Sequence, residues 1–154
     1  MNTASPLLQV ERLHKRFPVS GQAGSFLHAV EDVSLDIAAG ESLGLVGESG
    51  CGKSTLVRLL ARLHDPTEGR ILFDGEDLAE TPALKFARSP QRSAIQMVFQ
   101  DPTDSLNPRH TARETITEPL KLLTKLGTEE IGSRVQELSE QVGLAPELLD
   151  RFPH

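Results

Sequence analysis

A glycine-rich stretch between two apolar segments contains the residues of this chain that are best suited to chemistry. It reads GESGCGKST and matches the pattern G-x-x-x-x-G-K-[ST] from its first glycine onward. Where side chains are absent, successive backbone N–H groups can approach an anion closely and surround it. The pattern therefore predicts a loop that binds the phosphates of a nucleotide, through Gly47, Glu48, Ser49, Gly50, Cys51, Gly52, Lys53, Ser54 and Thr55.

Two side chains of this loop have distinct expected roles. The Lys53 ammonium can reach the β- and γ-phosphates, and the Ser54 hydroxyl can ligate Mg²⁺, a cation that prefers oxygen. A helix that begins near Lys53 would add unpaired N–H groups and the positive end of its dipole. The alternative is a structural glycine turn before a helix. The full match and its strand-and-helix context favour the phosphate site.

The elements that would position this loop are a strand before it and a helix after it. Residues 42–46, SLGLV, lack polar alternation, which is typical of a strand buried on both faces of a parallel sheet. Residues 53–63 carry leucines on one helical stripe. Residues 94–99, AIQMVF, predict another buried strand. Together these segments predict an α/β fold.

Further elements follow from the spacing of apolar and turn residues. Strands are predicted at residues 7–17 and 70–73, and one or two more at 26–37. Two longer helices are predicted at residues 111–126 and 128–142, separated by Gly127. The remaining signals are a tight turn at Asp74-Gly75, a short helix after Thr81-Pro82, a C-cap at Gly143 and a last short helix from Pro146.

Charge and composition limit the classes of function. The 154 residues carry a net charge of −6, which argues against nonspecific binding to nucleic acid. The single cysteine fits a reducing compartment. The sequence shows neither an apolar run of the ~18 residues that a membrane span needs nor a secretory signal at its N-terminus. We therefore expect a cytoplasmic protein that does not bind nucleic acid.

Three motifs resemble the ATP-binding cassette (ABC) ATPases, and more narrowly the ATPase subunits of bacterial oligopeptide and dipeptide importers. They are GESGCGKST at 47–55, FQDPTDSLNPR at 99–109 and LLDRFPH at 148–154. The resemblance implies a P-loop NTPase (RecA-like) ABC nucleotide-binding domain, incomplete here, with an N-terminal antiparallel β subdomain and the start of an α-helical subdomain. It divides the chain into residues 1–100, the β subdomain with the P-loop part of the core, and residues 101–154, the Q-loop and the beginning of the helical subdomain.

The resemblance implies two further contacts to the nucleotide. Gln100 matches the Q-loop residue, whose amide oxygen ligates Mg²⁺ or positions the attacking water; a glutamine making a loop hydrogen bond is the alternative. Phe17 matches the aromatic residue that stacks on adenine, with ordinary core packing as the alternative. Thr103-Asp104 departs from the aromatic and small residues that are common at this point in the importer subfamily.

The implied partners are a second ABC ATPase subunit, membrane-spanning permease subunits and, indirectly, a substrate-binding protein, on the cytoplasmic face of the cell membrane. The family's signature motif, its catalytic glutamate and its switch histidine do not occur in residues 1–154. Lys53 and Gln100 therefore contribute to catalysis without forming a complete catalytic set. We expect this chain alone to bind Mg²⁺-ATP weakly and not to hydrolyse it.

Other classes of function remain as alternatives. A P-loop GTPase would carry an N-K-x-D motif for guanine, and the sequence has none. A noncatalytic nucleotide-binding module, or another P-loop NTPase, is the remaining alternative to the importer ATPase. Importers of this family select their cargo on other subunits, and the resemblance implies peptides as the usual class of cargo.

Overall fold

The computed structural model describes residues 5–22, 24–101 and 105–154. The chain divides into two compact units, with the boundary along the sequence between Ser89 and Pro90. Each unit is described by itself below. The division of domains at residue 100, which the family resemblance implies, stays a prediction. No helix in the described part of the chain is both long and apolar enough to cross a lipid bilayer.

The first unit is built on a four-stranded antiparallel sheet in the order β2-β1-β3-β4, whose strands are β1 (Leu8–Pro18), β2 (Phe26–Ile37), β3 (Glu68–Phe73) and β4 (Glu76–Asp77). Residues 26–37 form one strand rather than two, and β3 begins two residues earlier than its predicted start. The N-terminal antiparallel β subdomain is thereby confirmed.

Helix α1 (Lys53–Leu60) follows the glycine-rich loop, as predicted. It buries Leu56 and Leu59, and it contacts β2. The helix ends at Leu60, so Leu63 lies beyond it and is exposed, contrary to the predicted apolar stripe. The buried apolar residues of this unit are Val10, Leu13, Val30, Leu56, Leu59, Ala61, Ile71, Leu78 and Phe86.

The polypeptide between β3 and the end of the first unit is made of short pieces. Asp74 and Gly75 form the predicted turn, and both have positive φ angles. A 3₁₀ turn covers Leu78–Glu80, and the short helix α2 (Ala83–Phe86) starts directly after Pro82. Phe86 is buried and the Ala83 N–H donates to the Asp65 carboxylate, so α2 is fixed to the unit by a large side chain and a hydrogen bond.

The second unit contains two longer helices, α3 (Ala112–Leu123) and α4 (Thr128–Gln141). Both are slightly shorter than predicted. Gly143 has the positive φ angle expected after a helix C-terminus, and a 3₁₀ turn covers Pro146–Leu148. The core of this unit consists of Ile131, Val135 and Leu149, packed against Ile116, Leu120 and Leu144.

Two strand predictions are wrong. Residues 42–46 and 94–99 are not strands, and they are not buried as their apolar sequences predicted: Val46 is 91% exposed and Val98 is 96% exposed. A strand requires a hydrogen-bonded neighbour, and no described segment of this chain pairs with either one. The apolar sequences of these segments indicated a tendency to form strands, but they did not indicate which strands would pair with them.

Candidate nucleotide-binding site

The glycine-rich loop leads directly into helix α1, as the motif requires. Gly52 is the N-cap residue of the helix, and it provides no side-chain hydrogen bond to the first turn. The first turn also contains no acidic residue. Neither the cap residue nor the first turn therefore neutralises the N–H groups and the positive dipole end of α1, which suits a binding site for an external anion.

The Lys53 side chain turns back over the loop that precedes it. Its ammonium Nζ donates hydrogen bonds to the backbone carbonyls of Gly47 and Glu48, both at 2.6 Å, and lies 3.5 Å from Cys51 Sγ. These contacts hold the loop in a curved conformation around one positive charge. An ammonium has three donors and no acceptor, so the same group that shapes the loop is the one suited to bind phosphate oxygens.

Two glycines of the loop are required by different features of the structure. Gly52 has φ +96°, and a Cβ atom there would lie 2.1 Å from the backbone oxygen of Ala29 on β2. A Cβ at Gly50, with φ +83°, would meet nothing within 4 Å. Gly52 thus allows helix α1 to start directly against β2, whereas the space beside Gly50 is open to a ligand.

A cleft of about 350 Å³ lies beside the loop. Main-chain and side-chain atoms of β2 form one wall, and the loop and the start of α1 form the other. The lining residues are His28, Ala29, Val30, Glu31, Val33, Leu45, Val46, Cys51, Gly52, Lys53 and Leu56.

Phe17 lies near the end of β1, where it pairs with Leu27 on β2. Gly52 approaches β2 at Ala29, which lies two residues, or about 7 Å along the strand, from Leu27. The Phe17 side chain is partly buried and therefore keeps accessible ring surface. The fold thus brings Phe17 and the loop to the same stretch of β2, as a base contact and a phosphate contact of one nucleotide would require.

The two residues predicted to ligate Mg²⁺ lie in different units. Ser54 is exposed in the first turn of α1, and Gln100 is exposed near the start of the second unit. Pro102, Thr103 and Asp104, which belong to the predicted Q-loop motif, lie outside the described residues. The role of Gln100 and the departure at Thr103-Asp104 therefore stay predictions.

The donor set around the loop fits Mg²⁺ better than a softer metal. Within the described ranges, no group of three or more His, Cys, Asp or Glu side chains is placed to hold a metal ion. Mg²⁺ usually keeps several waters and is held by one or two protein oxygens together with phosphate oxygens. The Ser54 hydroxyl meets this need without a cage of carboxylates.

A buried arginine at the end of α1 was not singled out by the sequence. Arg62 is 2% exposed, and its guanidinium donates to the backbone carbonyls of His64 and Thr81 and to the Asp65 carboxylate. Burial disfavours the Asp65 anion, but hydrogen bonds from the Ala83 N–H and from Arg62 outweigh this and lower the Asp65 pKa. Arginine is usually exposed, so no sequence signal marked this network.

A loop curved around its own lysine, at the uncapped start of a helix that packs on a sheet, defines this molecule as a P-loop nucleotide-binding protein. The family described as ABC transporter matches residues 30–153, and the chain belongs to that family. The recognition of an ABC ATPase from the three sequence motifs is confirmed.

Similar proteins show which members of the ABC transporter family this chain resembles. A probable peptide ABC transporter ATP-binding protein of Sinorhizobium fredii is 48% identical over 96% of this chain and 42% of its own length. Oligopeptide transport ATP-binding proteins of Bacillus subtilis and Haemophilus influenzae are 44% and 43% identical, over 46% and 48% of their lengths. This chain therefore spans somewhat less than half of these relatives.

Solved structures support the fold. A dimeric ATP-binding cassette in a post-hydrolysis state, bound to ADP and Pi, is similar with a TM-score of 0.76, although only 24% of residues are identical. The match covers 95% of this chain and 61% of that cassette. The predicted fold class, part of a P-loop ABC domain with an N-terminal antiparallel sheet, is confirmed.

Proposed function

We propose that this chain is the nucleotide-binding part of an ABC importer ATPase that drives the uptake of peptides. The observation that carries the proposal is the loop from Gly47 to Lys53, which is closed by two hydrogen bonds from the lysine and is followed by an uncapped helix. Relatives named as peptide or oligopeptide transport ATP-binding proteins support the choice of substrate class.

Each residue of the proposed site has a separate task. Lys53 and the first N–H groups of α1 bind phosphate oxygens, and Phe17 supplies ring area for the adenine base. Ser54 would hold Mg²⁺, as would Gln100 in the Q-loop. The metal, when bound, neutralises charge on the phosphates during transfer to water. Lys53 and Gln100 are thus contributors to catalysis, and a further group must polarise the water.

The proposed partners follow from the family and from the names of its members. We infer a second ATPase subunit, in keeping with the dimeric state named for the similar cassette. We also infer permease subunits, and a substrate-binding protein that acts through them, since the relatives are named as transport proteins. This arrangement would place the protein on the cytoplasmic face of the membrane.

Isothermal titration calorimetry with Mg²⁺-ATP tests the proposed site. We expect weak binding that requires Mg²⁺, and a loss of about tenfold or more in affinity for Lys53→Ala, because that variant loses charge-assisted contacts to phosphate. Lys125→Ala, an exposed lysine in the second unit, is the matched control and should bind as the parent chain does. Equal affinities for all three proteins would refute the site.

Phosphate release tests the catalytic part of the proposal. We expect the 154-residue chain to release phosphate from ATP no faster than background, because none of the residues of the proposed site polarises the attacking water. This expectation also covers the alternative of a noncatalytic nucleotide-binding module. A rate that rises with protein concentration and disappears in Lys53→Ala would show that the described chain already holds a working catalytic set.

A further inference from the structure

A lysine on β1 connects the ring of Phe17 to the segment that leaves helix α1. The Lys15 ammonium lies over the Phe17 ring, 4.9 Å from its centroid, and donates a 2.7 Å hydrogen bond to the backbone carbonyl of Asp65. One cation thus satisfies a carbonyl in the connection between α1 and β3 and contacts a ring on β1. The sequence motifs gave no role to this lysine.

The other contacts around the ring come from the same connection. The His64 ring meets Phe17 edge-on, with centroids 6.0 Å apart and planes at 82°. Backbone hydrogen bonds hold this connection along β1, since the Thr67 N–H donates to the His14 carbonyl and the Arg16 N–H donates to the Thr67 hydroxyl. The ring is therefore contacted on one face by Lys15 of β1 and, at right angles, by His64, which follows the P-loop helix.

We propose that Lys15 is a positioning residue for the nucleotide base. It fixes the Phe17 ring so that the face turned away from the ammonium receives the base, and it ties that ring to the helix that binds the phosphates. This inference rests on the proposed stacking role of Phe17. It extends that role, because it assigns the orientation of the ring to a residue that does not itself contact the nucleotide.

The chemistry of the contact between Lys15 and Phe17 supports a positioning role for the lysine and a stacking role for the ring. A cation over one face of an aromatic ring is attracted by the negative charge of that face, so the ammonium restrains the ring. Phenylalanine has no hydrogen-bonding group, so the face turned away from the ammonium would stack on a base without reading its edges. Precise placement of the ring relative to the phosphate loop is then the main contribution that the protein makes to binding the base.

The test compares ligands with and without a base. Affinities for Mg²⁺-ATP and for Mg²⁺-tripolyphosphate are measured by calorimetry with the parent chain, Lys15→Met and Lys15→Arg. We expect Lys15→Met to weaken ATP binding about three- to tenfold and to leave tripolyphosphate binding unchanged. Lys15→Arg keeps a cation and a donor and should restore most of the ATP affinity. Unchanged tripolyphosphate binding shows that the loop has stayed folded.

A double-mutant cycle with Phe17 separates positioning from direct contact. Phe17→Ala should weaken ATP binding by about tenfold through the lost stacking, and in that background Lys15→Met should have no further effect. Additive losses would overturn the proposal, because they would mean that Lys15 contacts the nucleotide directly. Tighter ATP binding by Lys15→Met would also overturn it, because the ammonium would then occupy the face that the base needs.

If the proposed stacking role of Phe17 is wrong, the measured affinities follow a different pattern. If Phe17→Ala leaves ATP affinity unchanged while Lys53→Ala abolishes binding, the stacking role is wrong and the phosphate site stands. A measurement without nucleotide keeps the positioning claim testable in every case. Side-chain NMR relaxation should show a more mobile Phe17 ring in Lys15→Met and a parent-like ring in Lys15→Arg, and equal mobility in all three proteins would refute the claim.

Discussion

Gly52 and Gly50 both have positive φ angles, but only one of them is enclosed by other atoms. A Cβ at Gly52 would collide with the Ala29 carbonyl, whereas a Cβ at Gly50 would contact nothing. We expect Gly52→Ala to lower the free energy of unfolding by about 2 kcal/mol or more, because helix α1 must move away from β2. Gly50→Ala should cost about 1 kcal/mol, for its backbone conformation alone.

Urea denaturation followed by circular dichroism measures this difference. Because both variants replace glycine by alanine at similar φ, the gap between them isolates the contact with Ala29. Similar losses of stability in the two variants would mean that the loop shifts freely and that its approach to β2 is not fixed. The sequence explained both glycines by the need to approach phosphate, and it could not show that Gly52 is also required by the sheet.

Arg62 shows a second limit of sequence analysis at the residue scale. Lys53 and Ser54 could be identified because a local pattern defines them, whereas the partners of Arg62 come from the connection after α1 and from Thr81. We expect Arg62→Ala to destabilise the protein by about 2–3 kcal/mol, since it removes a buried side chain and leaves three partly buried acceptors without their donor. Arg58→Ala, on the exposed side of α1, should change stability by less than about 0.5 kcal/mol.

Thermal and urea unfolding of the two arginine variants check this expectation. Arg62→Lys extends the comparison, because a lysine cannot reproduce the planar fork that reaches three acceptors. It should recover only part of the lost stability. If Arg62→Ala and Arg58→Ala unfold at the same urea concentration, the buried network contributes nothing measurable.

Helix α3 begins with a reciprocal capping arrangement that fixes its start. The Glu114 N–H donates to the Thr111 hydroxyl, and the Thr111 N–H donates to the Glu114 carboxylate at 2.8 Å. Thr111→Ala removes the hydroxyl and should cost about 1 kcal/mol of stability, measured by urea unfolding at neutral pH. Ser133→Ala, on the surface of α4 and away from any helix start, is the control and should change little.

The same cap predicts a dependence on pH. The hydrogen bonds from the backbone N–H and the hydroxyl of Thr111 lower the Glu114 pKa. A carboxyl whose pKa is lower in the folded state stabilises the fold above its unfolded pKa, and this stabilisation disappears as the pH falls through the folded value. The stability difference between the parent chain and Glu114→Gln should therefore shrink below about pH 4. A difference that stays constant from pH 7 to pH 3 would contradict it.

The elements that could be predicted from the sequence are those that depend on local signals. Helices α3 and α4 could be predicted because the spacing of their apolar residues and the residues that mark their ends are both local features of the sequence. The strands of the antiparallel sheet either follow one another along the chain or show a clear alternation of apolar and polar residues. Residues 42–46 and 94–99 also have apolar sequences that are typical of strands. Pairing in a parallel sheet depends on strands that are distant in sequence, so the sequences of these two segments alone could not determine whether they pair.

At the scale of the whole molecule, these two segments give each unit an exposed apolar stretch. Val46 and Val98 are almost fully exposed, and Leu43, Leu45 and Phe99 are each about half exposed. Single exposed apolar residues are normal on protein surfaces, whereas contiguous ones that are unpaired and prone to form strands favour association. We therefore expect this chain to self-associate as its concentration rises.

Sedimentation velocity over a range of concentrations tests this, with Val98→Lys as the variant. A charge in the middle of the segment opposes strand pairing between chains, so Val98→Lys should shift the onset of association to higher concentration. Leu84→Lys is the matched control, because Leu84 is 94% exposed but lies alone on the short helix α2. An equal shift from both variants would assign the association to net charge. A shift from Val98→Lys alone, with unchanged circular dichroism, would assign it to the apolar segment that the sequence predicted to be a buried strand.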